Sequence, residues 1–123
     1  MKPNILCIED QPDNMMLIRR LFRPDGYNLI EAKTGVQGLS IVESQELDLV
    51  LLDINLPDID GYEAARGMRA STPSVRLVAL TGYGRPEDRQ RALDAGFDSY
   101  LLKPVDPHRL VEIITPPESR PIR

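Results

Sequence analysis

The chain has 123 residues, one domain's worth, and its 15 basic and 19 acidic side chains give a net charge of −4. That balance argues against a dispersed nucleic-acid-binding surface, and the single cysteine, Cys7, excludes an internal disulfide. The opening MKPNILCIED reaches acidic residues too early for a signal peptide. No apolar run approaches the roughly 18 residues of a membrane span, so a soluble cytoplasmic protein without membrane insertion is expected.

Apolar runs and helical spacings alternate along the chain. NILCI (4–8) reads as a buried strand, with Cys7 as a small hydrophobe in it. In QPDNMMLIRRLFRPDG, Met15, Ile18 and Phe22 share a helical face, Pro12 suits the first turn, and RPDG stops the helix. YNLIEA (27–32) mixes polar residues into an apolar run, as an edge strand does. In TGVQGLSIVESQ the repeat is Val36, Leu39 and Val42. LDLVLL (47–52) has no alternation, the signature of a strand buried on both faces. GYEAARGMRAS carries Ala64, Ala65 and Met68 as its apolar side. VRLVAL (75–80) is a further strand, and RPEDRQRALDAGF opens a helix with Pro86 and two acids that Gly96 ends. YLL (100–102) precedes a last helix with Asp106 as N-cap and Pro107 in its first turn, which Pro116 ends near Thr115. Five strands alternating with five helices predict an α/β fold, a doubly wound parallel sheet. One domain is expected over 1–115, followed by a Pro-rich flexible tail or linker start over 116–123.

The chemistry-capable residues follow the apolar runs. Glu9 and Asp10 follow the first, Asp53 the third, Thr81 the fourth, and Lys103 with Pro104 the fifth. In open parallel sheets, ligands bind beyond the carboxyl ends of the strands. Taken alone, Asp53 or Glu9–Asp10 read as caps, Thr81 as a turn residue and Lys103 as a solvated lysine. Together they make a restrictive cluster. Three carboxylates repel one another, and one is pushed towards protonation unless a cation intervenes. Lys103 supplies a single charge, so an oxygen-liganded divalent cation such as Mg²⁺ fits better. A metal, a hydroxyl, a lysine and a nucleophilic carboxylate form a set suited to phosphoryl transfer.

These motifs, IED, LLDINLPDIDG, VALTGYG and DAGFDSYLLKP in that order, resemble the receiver domain of bacterial two-component response regulators, including the type attached to hybrid histidine kinases. The resemblance runs from about residue 3 to residue 115. It implies a flavodoxin- or CheY-like sheet of order 2-1-3-4-5 and a phosphoacceptor signalling module with no separate catalytic output. Asp53 would take a phosphoryl group from the phosphohistidine of a sensor kinase or phosphotransfer protein. Asp10, Glu9, Asp53 and the Asn55 carbonyl would hold Mg²⁺, while Thr81 and Lys103 would bind the phosphoryl oxygens. Tyr100 matches the switch aromatic that remodels the surface of the fourth helix, fifth strand and fifth helix. The Lys103–Pro104 peptide would be cis, and Asn55 and Tyr83 would tune the lifetime of the acyl phosphate. The downstream protein partner is not specified by the sequence, and nucleic acid is not expected as one.

Three rival readings are weaker. An aspartyl-phosphate phosphatase favours a second aspartate two residues after the nucleophile, where this chain has Asn55. A flavin-binding protein wants a phosphate loop after the first strand, where EDQPDN is acidic. A scaffold that is never phosphorylated has no need of the intact set. His108, beside Asp106, reads as a surface residue; Asn14, four after Asp10, reads either as a residue common in receivers attached to hybrid kinases, as the resemblance implies, or as a polar residue on the exposed face of the first helix.

Overall fold

Leu49–Asp53 is buried along its whole length, as expected of a strand covered on both faces. It forms the centre of a sheet in the computed structural model, which describes residues 3–22, 26–82 and 84–114. The strands are β1 (Asn4–Ile8), β2 (Asn28–Ala32), β3 (Leu49–Asp53), β4 (Arg76–Thr81) and β5 (Ser99–Leu102). They lie in the order β2-β1-β3-β4-β5, and every neighbouring pair is parallel. The helices are α1 (Pro12–Phe22), α2 (Gly35–Ser44), α3 (Gly61–Ser71), α4 (Pro86–Asp94) and α5 (Pro107–Ile114). The expected tail over 116–123 lies outside the described residues, as does Tyr83.

Strand alternation sorts the core into two layers. Leu6, Ile8, Val50, Leu52, Leu77 and Ala79 face α2, α3 and α4, through Val42, Ala64, Ala65, Met68 and Ala92. Ile5, Cys7, Leu49, Leu51, Val78 and Leu80 face α1 and α5, through Met15, Ile18, Phe22, Leu110 and Ile113. Cys7 is buried, and burial raises its thiol pKa well beyond the ordinary range, so it acts as an inert hydrophobe. A central side chain such as Leu51 is fully buried, and truncating it to alanine would cost about 2–5 kcal/mol.

One expected face is corrected. Val36 is exposed, and α2 docks instead through Gly35, Gly38 and Val42. The reason is close approach: a Cβ at Gly38 would fall 2.2 Å from Ile8 Cδ1, and one at Gly35 would fall 1.9 Å from Ile59 Cγ2. Glycine lets the helix backbone lie where a side chain would otherwise stand.

Helix ends follow their local chemistry. Thr34 caps α2 by accepting from Gln37 N–H, Asp60 caps α3 by accepting from Tyr62 N–H, and Asp106 accepts from His108 N–H at the start of α5. Gly96, at φ +104°, carries the chain from α4 towards β5 through a backbone region few other residues adopt.

Candidate functional site

Strand order reverses about β1, which pairs with β2 on one side and β3 on the other. Crevices open at such a reversal, beyond the carboxyl ends of the strands. Ile8 pairs with Leu52, so Glu9 and Asp53 leave the sheet side by side. Asp53 pairs with Leu80 and Thr81 with Leu102, which brings Thr81 and Lys103 to the same edge. Two backbone bonds fix this register past the strand ends: Ile54 N–H donates to Leu80 O, and Lys103 N–H to Thr81 O at 2.8 Å.

The resulting pocket concentrates charge in a dry place. Glu9, Asp53 and Thr81 are 1%, 2% and 4% exposed, and Asp10 is half-buried. Lys103 Nζ lies 2.7 Å from Glu9 Oε1 and 3.1 Å from Asp53 Oδ2, bridging the two carboxylates. Asp53 Oδ1 accepts the Asn55 N–H at 3.0 Å, and Glu9 Oε2 accepts the Gln11 N–H at 3.1 Å. Asp53 is therefore met by an ammonium group and a backbone amide. The Glu9 bond thus ties down the backbone at Gln11, just before α1. The Lys103–Pro104 peptide is cis.

Lys103 does not satisfy everything around it. Its approach to Glu9 Oε1 lies off the hydrogen-bonding direction, so that buried oxygen has a charged neighbour but no aligned donor. Burial raises the Glu9 pKa, with the Asp53 charge adding to the effect and Lys103 opposing it. For Lys103, burial pulls the pKa down, but Glu9 and Asp53 outweigh it and raise the value, so the side chain stays charged.

Glu9, Asp10 and Asp53 each place a carboxylate oxygen within 4.8 Å of the others. Three carboxylates against one ammonium leave two negative charges uncompensated. A pair of unit charges ~4 Å apart interacts by roughly 4 kcal/mol at an effective dielectric of ~20. An all-oxygen set with this excess charge fits a small hard cation.

The remaining positions sort around this cluster. Asn55 is exposed next to Asp53. Tyr100 is half-buried and pairs with Ala79, two residues before Thr81, so both side chains lie on one face of the sheet. The Arg89 guanidinium on α4 sits over its ring, 4.9 Å from the centroid. His108 is exposed at the start of α5, and Asn14 is half-buried on α1.

Sequence reasoning missed Asp58. Its two carboxylate oxygens accept Gly35 N–H and Val36 N–H, each at 3.0 Å, at the first turn of α2. These bonds hold its carboxyl below the usual range. The partners lie 23 and 22 residues away, and nothing in the local motif marks them. Asp60, two residues on, caps α3 by accepting from Tyr62 N–H.

Comparison with known proteins agrees with the fold. The chain belongs to the response regulator receiver domain family, whose model matches residues 5–115. It is 30% identical over 117 residues to sensor protein GacS of Pseudomonas syringae pv. syringae, covering 91% of this chain but spanning only 13% of that protein's length. It is 36% identical to the receiver domain of a sensor histidine kinase from Pseudomonas aeruginosa, solved with a magnesium ion coordinated in its active site cleft. That match has a TM-score of 0.82 and covers 92% of this chain and 94% of the other. A chain in the co-crystal of the Saccharomyces cerevisiae histidine phosphotransfer signaling protein Ypd1 with the receiver domain of Ssk1 is 32% identical. There the TM-score is 0.86, with 93% of this chain and 87% of that one covered. The family is a signalling module of two-component phosphorelays. Among the described residues, no helix is long and apolar enough to cross a membrane.

Proposed function

We propose that the chain is a magnesium-dependent phosphoacceptor, in which Asp53 takes a phosphoryl group from a phosphohistidine of a sensor kinase or a histidine phosphotransfer protein. The observation that carries this reading is the convergence of Glu9, Asp10 and Asp53 within 4.8 Å, with Lys103 touching two of the three. Glu9, Asp10, Asp53 and the Asn55 carbonyl would hold Mg²⁺, which when bound supplies charge neutralisation to the phosphoryl oxygens. The magnesium site named for the Pseudomonas aeruginosa receiver and the phosphotransfer partner named for Ssk1 support the metal and the donor class. This reading puts the chain in the cytoplasm.

The residues divide the work. The Asn55 amide orients Asp53 through Oδ1, leaving Oδ2 beside Lys103. An Asp53 oxygen forms the new P–O bond as the P–N bond to the donor imidazole breaks, and the departing imidazole takes up a proton. Lys103 moves from bridging carboxylates to meeting phosphoryl oxygens, and the Thr81 hydroxyl donates to them. Tyr100, on the face of Thr81, relays the change to the surface of α4, β5 and α5. Asn55 and Tyr83 tune the lifetime of the phosphoryl group.

Intact mass after incubation with Mg²⁺ and a small acyl-phosphate donor tests this. The wild type should gain one hydroxylamine-labile phosphoryl group. The Asp53→Asn variant and a metal-free control should gain none. Equal labelling of Asp53→Asn would sink the assignment.

A further inference from the structure

We propose that Asp58 is a positioning residue for the cation site, a clamp that holds the loop carrying Asn55 against the amino end of α2. The inference rests on the magnesium-dependent reading above. The loop runs from Asp53, at the end of β3, to Gly61, the first residue of α3. Its two ends are tied to each other and to β4, since Ile54 N–H donates to Leu80 O and Gly61 N–H donates to Ile54 O. Gly61 makes the second tie possible, because a Cβ there would meet the Ile54 backbone at 2.5 Å. In mid-loop, Leu56 is buried in the core. Beyond it the polar tie is Asp58, which grips two backbone amides of a different element, Gly35 and Val36.

A second contact acts at the same place. Ile59 packs onto Gly35 so closely that a Cβ on Gly35 would lie 1.9 Å from Ile59 Cγ2. Charge and packing thus fix one point of the loop to one point of α2. The amides at the start of a helix have no partners within the helix, and the helix dipole favours negative charge there, so a carboxylate matches this position well. α2 in turn packs on β1 through Gly38 and Ile8, next to Glu9. The clamp therefore links the strand that ends in Glu9 to the loop that offers the Asn55 carbonyl. Losing it frees the middle of the loop and blurs the position of that carbonyl relative to the carboxylates. Groups that orient metal ligands from outside carry about 10–100-fold of affinity when they touch the ligand directly. Asp58 acts at three residues' remove, and we expect a loss of at least about threefold.

Thr34 separates positioning from mere helix support. It caps the same helix, accepting from Gln37 N–H at 3.1 Å, but belongs to no part of the loop. The experiment is a Mg²⁺ titration followed by the NMR shifts of the Ile54 and Asn55 amides, in the wild type and in Asp58→Ala, Asp58→Asn and Thr34→Ala, with a thermal melt of each. Mg²⁺ binding should weaken in Asp58→Ala, weaken less in Asp58→Asn, which keeps one acceptor, and stay near wild type in Thr34→Ala. Should Asp58→Ala prove unfolded, Asp58→Asn carries the comparison. Wild-type affinity in the folded Asp58 variants overturns the proposal, and so does an equal loss in Thr34→Ala, which would make helix stability the cause. A wild type that shows no response to Mg²⁺ overturns the reading beneath it instead.

Discussion

Strand β3 has a carboxylate at each end, and the two ends of the sheet treat them in opposite ways. Asp48, just before the strand, is exposed, and its Oδ2 accepts the Asn4 N–H at 2.7 Å. Near it, Arg69 spends its guanidinium on the carbonyls of Gly96, Pro73 and Val75 and on Asp98 Oδ2, which also accepts Leu77 N–H. Charge at this amino end is matched by fixed donors and acceptors. At the carboxyl end, Asp53 sits almost wholly buried with Glu9, Asp10 and one lysine. There negative charge exceeds what the chain can pair. Charged residues of the first kind hold a fold together. Those of the second kind are held by it, against their own repulsion, for something that arrives from outside.

The largest effect should come from breaking the satisfied end. Truncating Arg69 to alanine takes a donor from the carbonyls of Gly96, Val75 and Pro73 and removes the ion pair with Asp98, which keeps its bond from Leu77 N–H. The two part-buried acceptors, Gly96 O and Val75 O, cost on the order of 1 kcal/mol each when left unpaired, so Arg69→Ala should lose about 2 kcal/mol in urea denaturation. Its folded population should still bind Mg²⁺ as the wild type does. A fall in Mg²⁺ affinity would show that the two ends are not independent.

Relieving the unsatisfied end should have the opposite sign. Burial raises the Glu9 pKa, so between its unfolded value of 4.5 and its folded value the native state binds more protons than the unfolded chain. Stability from this group is therefore fully present below pH 4.5 and is lost as pH rises through the folded value. Glu9→Gln removes the buried charge and keeps the shape. At neutral pH it should be more stable than the wild type by about 1 kcal/mol. That advantage should shrink as pH is lowered towards 4.5, while Mg²⁺ binding weakens. Thermal melts of the two proteins at several pH values measure it, and a variant less stable than wild type at neutral pH would mean that Lys103 outweighs burial.

The unsatisfied end was the more legible of the two in the sequence. Its residues follow apolar runs, so strand periodicity alone lines up Glu9, Asp53, Thr81 and Lys103 at one edge of the sheet. The buried strand 49–53, the polar edge strand β2, and the capping role of Asp106 are also written in local order. The satisfied end is built from contacts that no period marks: Arg69 reaches Asp98 across 29 residues, as Asp58 reaches Gly35 across 23. The docking face of α2 was misread for a related reason. Apolar spacing favoured Val36, but glycines at 35 and 38 let the backbone come close, and closeness decided the face. Two glycines three apart were the signal that hydropathy ignores.

The smallest effect completes the comparison on β3 itself. Asp48→Asn and Asp53→Asn are the same chemical change at opposite ends of one strand. At Asp48 the asparagine oxygen can still accept from Asn4 N–H, and the lost charge was exposed to solvent. Stability should move by no more than about 0.5 kcal/mol, and Mg²⁺ binding and phosphoryl uptake should not change. At Asp53 the same change deletes a proposed ligand and the nucleophile, and phosphoryl uptake should vanish. Intact mass and a denaturation midpoint for each variant settle the contrast. Should Asp48→Asn also impair uptake, the acceptor would depend on the net field of the sheet rather than on the cluster at its carboxyl end.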